Sequence, residues 1–457
     1  MHWKTTTCGL LLALFLFSCS TPLSLTTQGF KTLENQLSII EEQSDSPEKS
    51  DHIQPQGQPV RSQDAVLMAS HPLDPIAAPR IIEPSNDGEG RPDKEEKKET
   101  SAINPLTGLP VKNPQNLSLP PALVSVTNFP PTARPQAGLT FSPIVFELFI
   151  GDGMTRYLAI FYGDYPRASI KPTKNLTWEL TAGIEPPAAE QSTIEEPVIG
   201  PVRSGRIPYE YVRKLYNGFI VMASAYSKVA AQLKDYVNVY GDDASDINSA
   251  LISVNDIEDI AHATEKELGD ASLSGMVFDA KNPPDGKTAH SLWVFYAYLN
   301  QVFWRYNEND GTYHRWQDDA DGTTFIEQTD RLNDDPLAYE NVIVLFANHA
   351  VTNKYIIDVD LLYNRGKALL FRDGEMHEIY WTTKSEEYEQ TTGKLRPIRF
   401  VDAEGNPFPL KPGQTWIELI PTHSPYWETV DSEKYHLLAS GRSKDSGYWG
   451  VYFKIDY

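Results

Sequence analysis

Cysteine is nearly absent from the 457 residues: only Cys8 and Cys19 occur, which excludes a fold stapled by several disulfides. Long hydrophobic runs are missing as well. The most apolar stretch, residues 9–17, falls well short of the roughly 20 residues that cross a bilayer as a helix, and no later segment comes closer. No HExxH or CxxC occurs and none of the ten histidines forms a close pair, so spacing offers no zinc site. The acidic turn "QDDADG", residues 317–322, has Gln317 first and Gln328 twelfth, where a calcium loop needs carboxylates at both ends. No GxSxG nucleophile elbow is present. In "NRGKALLF" the lysine follows a single glycine between two strand patterns, which is not a phosphate-binding loop. Basic residues are scarce, 40 against 62 acidic ones for a net charge of −22, and this removes the basic face that non-specific nucleic-acid binding requires. Neither a metal nor a cofactor is expected.

What is present begins at the N-terminus. Lys4 precedes the apolar run of residues 9–17, and Ser18-Cys19 follows. This is the layout of a signal peptide, residues 1–18, and Leu16-Phe17-Ser18-Cys19 resembles the lipobox of bacterial lipoproteins, whose cysteine is lipidated. Cys8 lies in the segment that would be removed, so Cys19 alone survives, and several acyl chains on it would anchor the protein stably. The expected location is the cell membrane, on its extracytoplasmic face, with the lipid on Cys19 as the membrane contact. Residues 19–103 are rich in Ser, Pro, Gln and charge and read as a disordered tether that lifts a folded body off the membrane.

Within that body, "PALVSVTNF", "SPIVFELFI" and "TRYLAIFYG" have strand composition, with Gly151-Asp152-Gly153 as the turn between the last two. Residues 165–198 lose periodicity and read as a surface insertion. After "GPVRSGR", residues 200–206, Ile207, Tyr211 and Leu215 recur at helical spacing, with Pro208 suited to a first turn and Gly218 to a stop. "FIVMASA" predicts a strand, and "SKVAAQLKDYV" a second helix capped by Ser227. From about residue 304 the texture turns to short strands around Asp310-Gly311, Asp373-Gly374 and Glu404-Gly405. The expectation is an α+β protein: an N-terminal mixed α/β domain over residues 104–303, then a mostly β C-terminal domain over residues 304–457. Seven of the nine tryptophans lie between Trp293 and Trp449, which concentrates aromatic contact surface in the second part.

One set of polar residues stands out in the first domain: Arg134, Glu147, Thr155, Arg156, Arg203, Ser204, Arg206 and His290. Arg203 and Arg206 share a Gly/Pro loop that opens a helix, where backbone N–H groups and the helix dipole favour an anion. Glu147 interrupts "IVFELFI", and a carboxylate buried without a partner is costly, so an arginine is its natural mate. A structural Glu–Arg pair, an anion-binding pocket and a catalytic site with His290 as acid or base all remain open at this level.

The ordered motifs "NPLTGLPV", "ARPQAGL", "IVFEL", "TRYLAIF", "IGPVRSGR", "KTAHSLW", "GKALLFRDG" and "KPGQTWIELI" resemble the YerB family of bacterial lipoproteins over residues 104–164 and 199–420. The resemblance implies an N-terminal and a C-terminal domain and a lipid anchor; the family has no established activity. Gly205 stands where the family usually has alanine, residues 165–198 are an addition, and residues 421–457 extend past the family pattern. The function expected is a noncatalytic envelope lipoprotein with an arginine-lined site for an anionic cell-wall component or an envelope protein. The competing expectations are an extracytoplasmic enzyme acting on a wall glycan or phosphate-bearing polymer, and a small-molecule-binding lipoprotein.

Overall fold

The computed structural model describes residues 102–166, 196–242, 246–268, 273–353, 356–430 and 442–455. The signal peptide, Cys19, the tether and most of the expected insertion lie outside the described residues.

The apolar runs form strands buried along their whole length. Strands β1 (Ala122–Thr127), β2 (Ile144–Gly151) and β3 (Met154–Phe161) are almost wholly buried, as continuous rather than alternating hydrophobicity requires. The β2–β3 turn passes through Gly151, Asp152 and Gly153, all with positive φ. All three strands sit in an eleven-stranded sheet that also holds Phe219–Met222, Tyr236–Asn238, Asn341–Ala347, Arg365–Arg372, Glu375–Thr382, Arg399–Val401 and Thr415–Pro421. At its centre β2 runs parallel to Thr415–Pro421, pairing Glu147 with Glu418. A seven-stranded sheet contains Ser291–Ala297, Asn300–Asn307 and Thr312–Asp318, with Tyr426–Glu428 and Tyr448–Tyr452 at one side. Residues beyond 420 thus complete a sheet, and Trp449 is buried there.

The described molecule is mostly β with few helices. Residues of alternate parity on the large sheet serve two cores. Val145, Tyr157 and Trp416 pack with Val294, Trp304 and Tyr313 from the smaller sheet. Ile144, Phe146, Leu158 and Ile417 pack with Ile207, Val212 and Leu215 from helix α1 (Ile207–Tyr216). The boundary expected between residues 303 and 304 falls inside the strand Asn300–Asn307, and strands from before and after it share the large sheet.

Helix α1 starts with proline in its first turn and ends at Asn217, the left-handed residue. Gly218 follows for a different reason: a Cβ there would lie 2.3 Å from the Pro121 carbonyl oxygen. The second expected helix is short, Ser227–Ala230, and it begins one residue after its cap position at Tyr226. Asp235 turns through positive φ, its carbonyl accepts from Ile220 N at 2.8 Å, and Tyr236–Asn238 becomes an edge strand. Sheet pairing there overrides local helical periodicity.

Candidate anion-binding site

Two polar clusters emerge, and they differ in how their charge is balanced. The first lies between the sheets. Glu147 and Glu418 project from adjacent parallel strands toward the smaller sheet, both fully buried. Arg315, from Thr312–Asp318, donates from Nη2 to Glu147 Oε2 at 2.8 Å and from Nη1 to Gln317 at 2.6 Å, with its guanidinium 4.8 Å from the Trp416 ring centroid. Thr155 donates to Glu147 Oε1 at 2.6 Å and accepts from Asn128 at 2.9 Å. Glu418 receives hydrogen bonds from Tyr296 at 2.6 Å and from the Trp304 indole at 2.9 Å. One arginine cannot neutralise two carboxylates. Burial, and then the charge of Glu147, push Glu418 up to about 8, so near neutrality it keeps its proton.

Glu147 and Thr155 therefore belong to a sealed network, and Glu147's mate is Arg315 rather than any of the four arginines singled out from the sequence. Arg315 and Glu418 were missed. Glu418 had a signal: it interrupts "TWIELI" as Glu147 interrupts "IVFELFI". Arg315 had none, because "TYHRWQD" reads as an ordinary half-exposed strand.

The second cluster is the loop of residues 200–206. Its backbone is fixed by bonds from Arg203 N to Ser125 O at 2.8 Å, Ala223 N to Arg203 O at 3.0 Å and Gly205 N to Ser224 O at 2.9 Å. A Cβ on Gly205 would lie 2.4 Å from Met222 Sδ, so the glycine makes room for that methionine. On this frame Arg156 and Arg206 converge on Ser204: each donates from Nη1 to Ser204 Oγ at 3.0 Å, and Arg156 also to the Ser204 carbonyl at 2.8 Å. Arg206 is the N-cap of α1 and no side chain caps that helix. The Nε atoms of both arginines are buried without a partner. Neither guanidinium has a carboxylate within ion-pair distance among the described residues; their acceptors are all neutral oxygens. Burial, then the charge of Arg206, pull Arg156 down to about 9, and burial lowers Arg206 as well.

Arg134 follows the same rule. It donates to the carbonyl and side-chain oxygens of Asn128 and to the Asp318 carbonyl, its Nη2 is buried and unpaired, and burial lowers its pKa. Arg203 donates to the Ile247 carbonyl and to Asn248 Oδ1. The buried Arg213, Arg399 and Arg315 are instead matched to acids: Arg213 to Glu210 and Asp235, Arg399 to Glu389, Arg315 to Glu147. His290 is not drawn into this group. It is exposed at the entry to Ser291–Ala297, its ring 5.8 Å from that of Tyr448. Among the described residues no three or more His, Cys, Asp or Glu side chains could together hold a metal ion, and no helix is long and apolar enough to cross a membrane.

A β-rich body built on two large sheets is the fold into which the comparisons with known proteins place the chain. The chain carries both domains of the family described as "Protein of unknown function (DUF3048)": residues 106–192 match the N-terminal domain and residues 293–417 the C-terminal domain. It is homologous to "Putative lipoprotein YerB" of Bacillus subtilis (strain 168), 26% identical over 337 residues that cover 69% of this chain and 86% of that one. The crystal structure of YerB protein from Bacillus subtilis matches with a TM-score of 0.50 at 24% identity, over 70% of this chain and 97% of the other. The two share a fold.

Proposed function

We propose that the chain is a noncatalytic, lipid-anchored envelope protein on the extracytoplasmic face, whose loop of residues 200–206 receives an anionic group of a wall component or an envelope partner. One observation carries it: the buried Arg156 and the half-buried Arg206 meet around Ser204 with no carboxylate in ion-pair distance among the described residues, in a chain of net charge −22. Two like charges held together and largely shielded from water cost free energy, and an anion is the species that would offset it. The uncapped helix start adds partial positive charge at the same place, and arginine forks suit phosphate or carboxylate. A reaction built on Glu147 is disfavoured, since that carboxylate is fully buried and already paired.

The test is calorimetric titration of inorganic phosphate into wild type and Arg206→Gln, with melting curves for each. A charge-assisted hydrogen bond contributes about 1.5–3 kcal/mol, so the variant should bind one to two powers of ten more weakly. Without phosphate it should melt no lower than wild type, because a like-charge contact has been removed. A variant that binds equally well, or that melts well below wild type in phosphate-free buffer, refutes the proposal.

A further inference from the structure

Beside this loop lies a cleft of about 510 Å³, within the size range of small-molecule and cofactor sites. Arg134, Pro135, Pro201, Asp246, Asn248 and Arg331 are among the residues that line it. Three chain segments far apart in sequence meet there: Ala137 and Gly200 exchange backbone hydrogen bonds, and Arg331 N donates to Gln136 O at 2.8 Å. The charge balance is again positive, two arginines against Asp246, whose Oδ1 is already engaged by the Asn248 amide. Arg331 is exposed and its guanidinium holds no partner among the described residues. Arg134 is anchored by neutral oxygens and keeps an unpaired Nη2.

The cleft and the Arg156–Arg206 nook are not separate places. Pro201 lines the first and Ser204 sits at the centre of the second, and three residues of extended chain span at most about 11 Å. Arg203 stands between them: its guanidinium donates to Ile247 and Asn248 in the cleft wall, while its charge bears on Arg156.

We infer that the cleft is a second anion subsite for the same ligand, and that the ligand is a polymer with an anionic group on each repeat rather than a small monoanion. This rests on the nook binding an anion. A chain entering across the prolines would place one charged group against Arg134 and Arg331 and the next at Arg156 and Arg206, past Arg203. Phosphodiester and uronate polymers share this chemistry.

The experiment titrates inorganic phosphate, short poly(glycerol phosphate) and oligogalacturonate into wild type, Arg331→Gln and Arg206→Gln. Wild type should bind one of the oligomers well above phosphate, since linked groups gain effective concentration; which oligomer it is identifies phosphate or carboxylate as the charged group. Arg331→Gln should weaken that oligomer about tenfold, shrinking its advantage over phosphate. Arg206→Gln should weaken phosphate and oligomer alike. If Arg331→Gln binds the oligomer as wild type does while Arg206→Gln does not, the cleft is no subsite and the single-anion reading stands. If Arg331→Gln weakens the oligomer and Arg206→Gln leaves both probes unaffected, the nook reading fails and the serial arrangement with it. No binding of any probe by wild type overturns both.

Discussion

Glu418→Gln is the substitution whose effect the structure defines most closely. Glu418 is fully buried beside Glu147 and bonded to Tyr296 and Trp304, with its pKa raised from 4.5 to about 8. In the unfolded chain the same carboxyl ionises near 4.5, so between those values the folded state binds one proton more than the unfolded state. Stability attributable to this group is therefore fully present below the unfolded pKa and is lost as pH rises, levelling off above about 8. At about 1.4 kcal/mol per pKa unit, the loss between pH 5 and pH 9 comes to roughly 4 kcal/mol. Glutamine has the shape of the protonated acid and can keep both hydrogen bonds, accepting from the indole and donating to the tyrosine oxygen. The difference in unfolding free energy between Glu418→Gln and wild type should then be small at pH 5 and grow by about 4 kcal/mol toward pH 9, as read from urea unfolding at fixed ionic strength. Taking the difference cancels the titrating groups that do not interact with Glu418. Parallel pH profiles for the two proteins, or a difference that shrinks with pH, would show that Glu418 is ionised in the folded state.

Two further outcomes follow from the same physics. Arg315→Met strands the Glu147 carboxylate between the sheets and should cost about 3–5 kcal/mol in the same assay, with Glu147→Gln added to Arg315→Met recovering much of it; an undiminished loss in the double variant would deny the ion pair. Cys19→Ala should release the protein from the membrane fraction and abolish metabolic acyl labelling, and a variant that stays membrane-bound and labelled would refute the lipid anchor.

The β-rich character was legible because burial on both faces demands unbroken apolar runs, and "IVFELFI", "KALLFR" and "TWIELI" supply them. The start of α1 was legible from proline placement and i, i+4 spacing. The short second helix was not, since its competitor is an edge position beside Phe219–Met222, and joining a sheet depends on tertiary pairing that local spacing does not report. Of the eight polar residues singled out, the structure gathers Arg156, Ser204 and Arg206, sets Arg134 and Arg203 about the neighbouring cleft, seals Glu147 and Thr155 inside, and leaves His290 elsewhere.

Sequence alone determined that Glu147 must either be buried with a partner or face a cleft, because an unpaired charge buried in an apolar strand is too costly to fold around. It also determined that the Arg203 and Arg206 loop opens a helix. Which partner Glu147 takes was decided by tertiary structure: the parallel pairing of β2 with Thr415–Pro421 sets Glu418 beside it, and the second sheet lays Arg315 over both. Register between strands more than 150 residues apart in the chain is set by how two sheets bury their faces together, and no local pattern encodes it. The same holds for the counter-charge that Arg156 and Arg206 lack among the described residues. A composition with 62 acidic residues makes pairing look inevitable, yet only the packing of β3, the loop and α1 decides which oxygens those guanidiniums can reach.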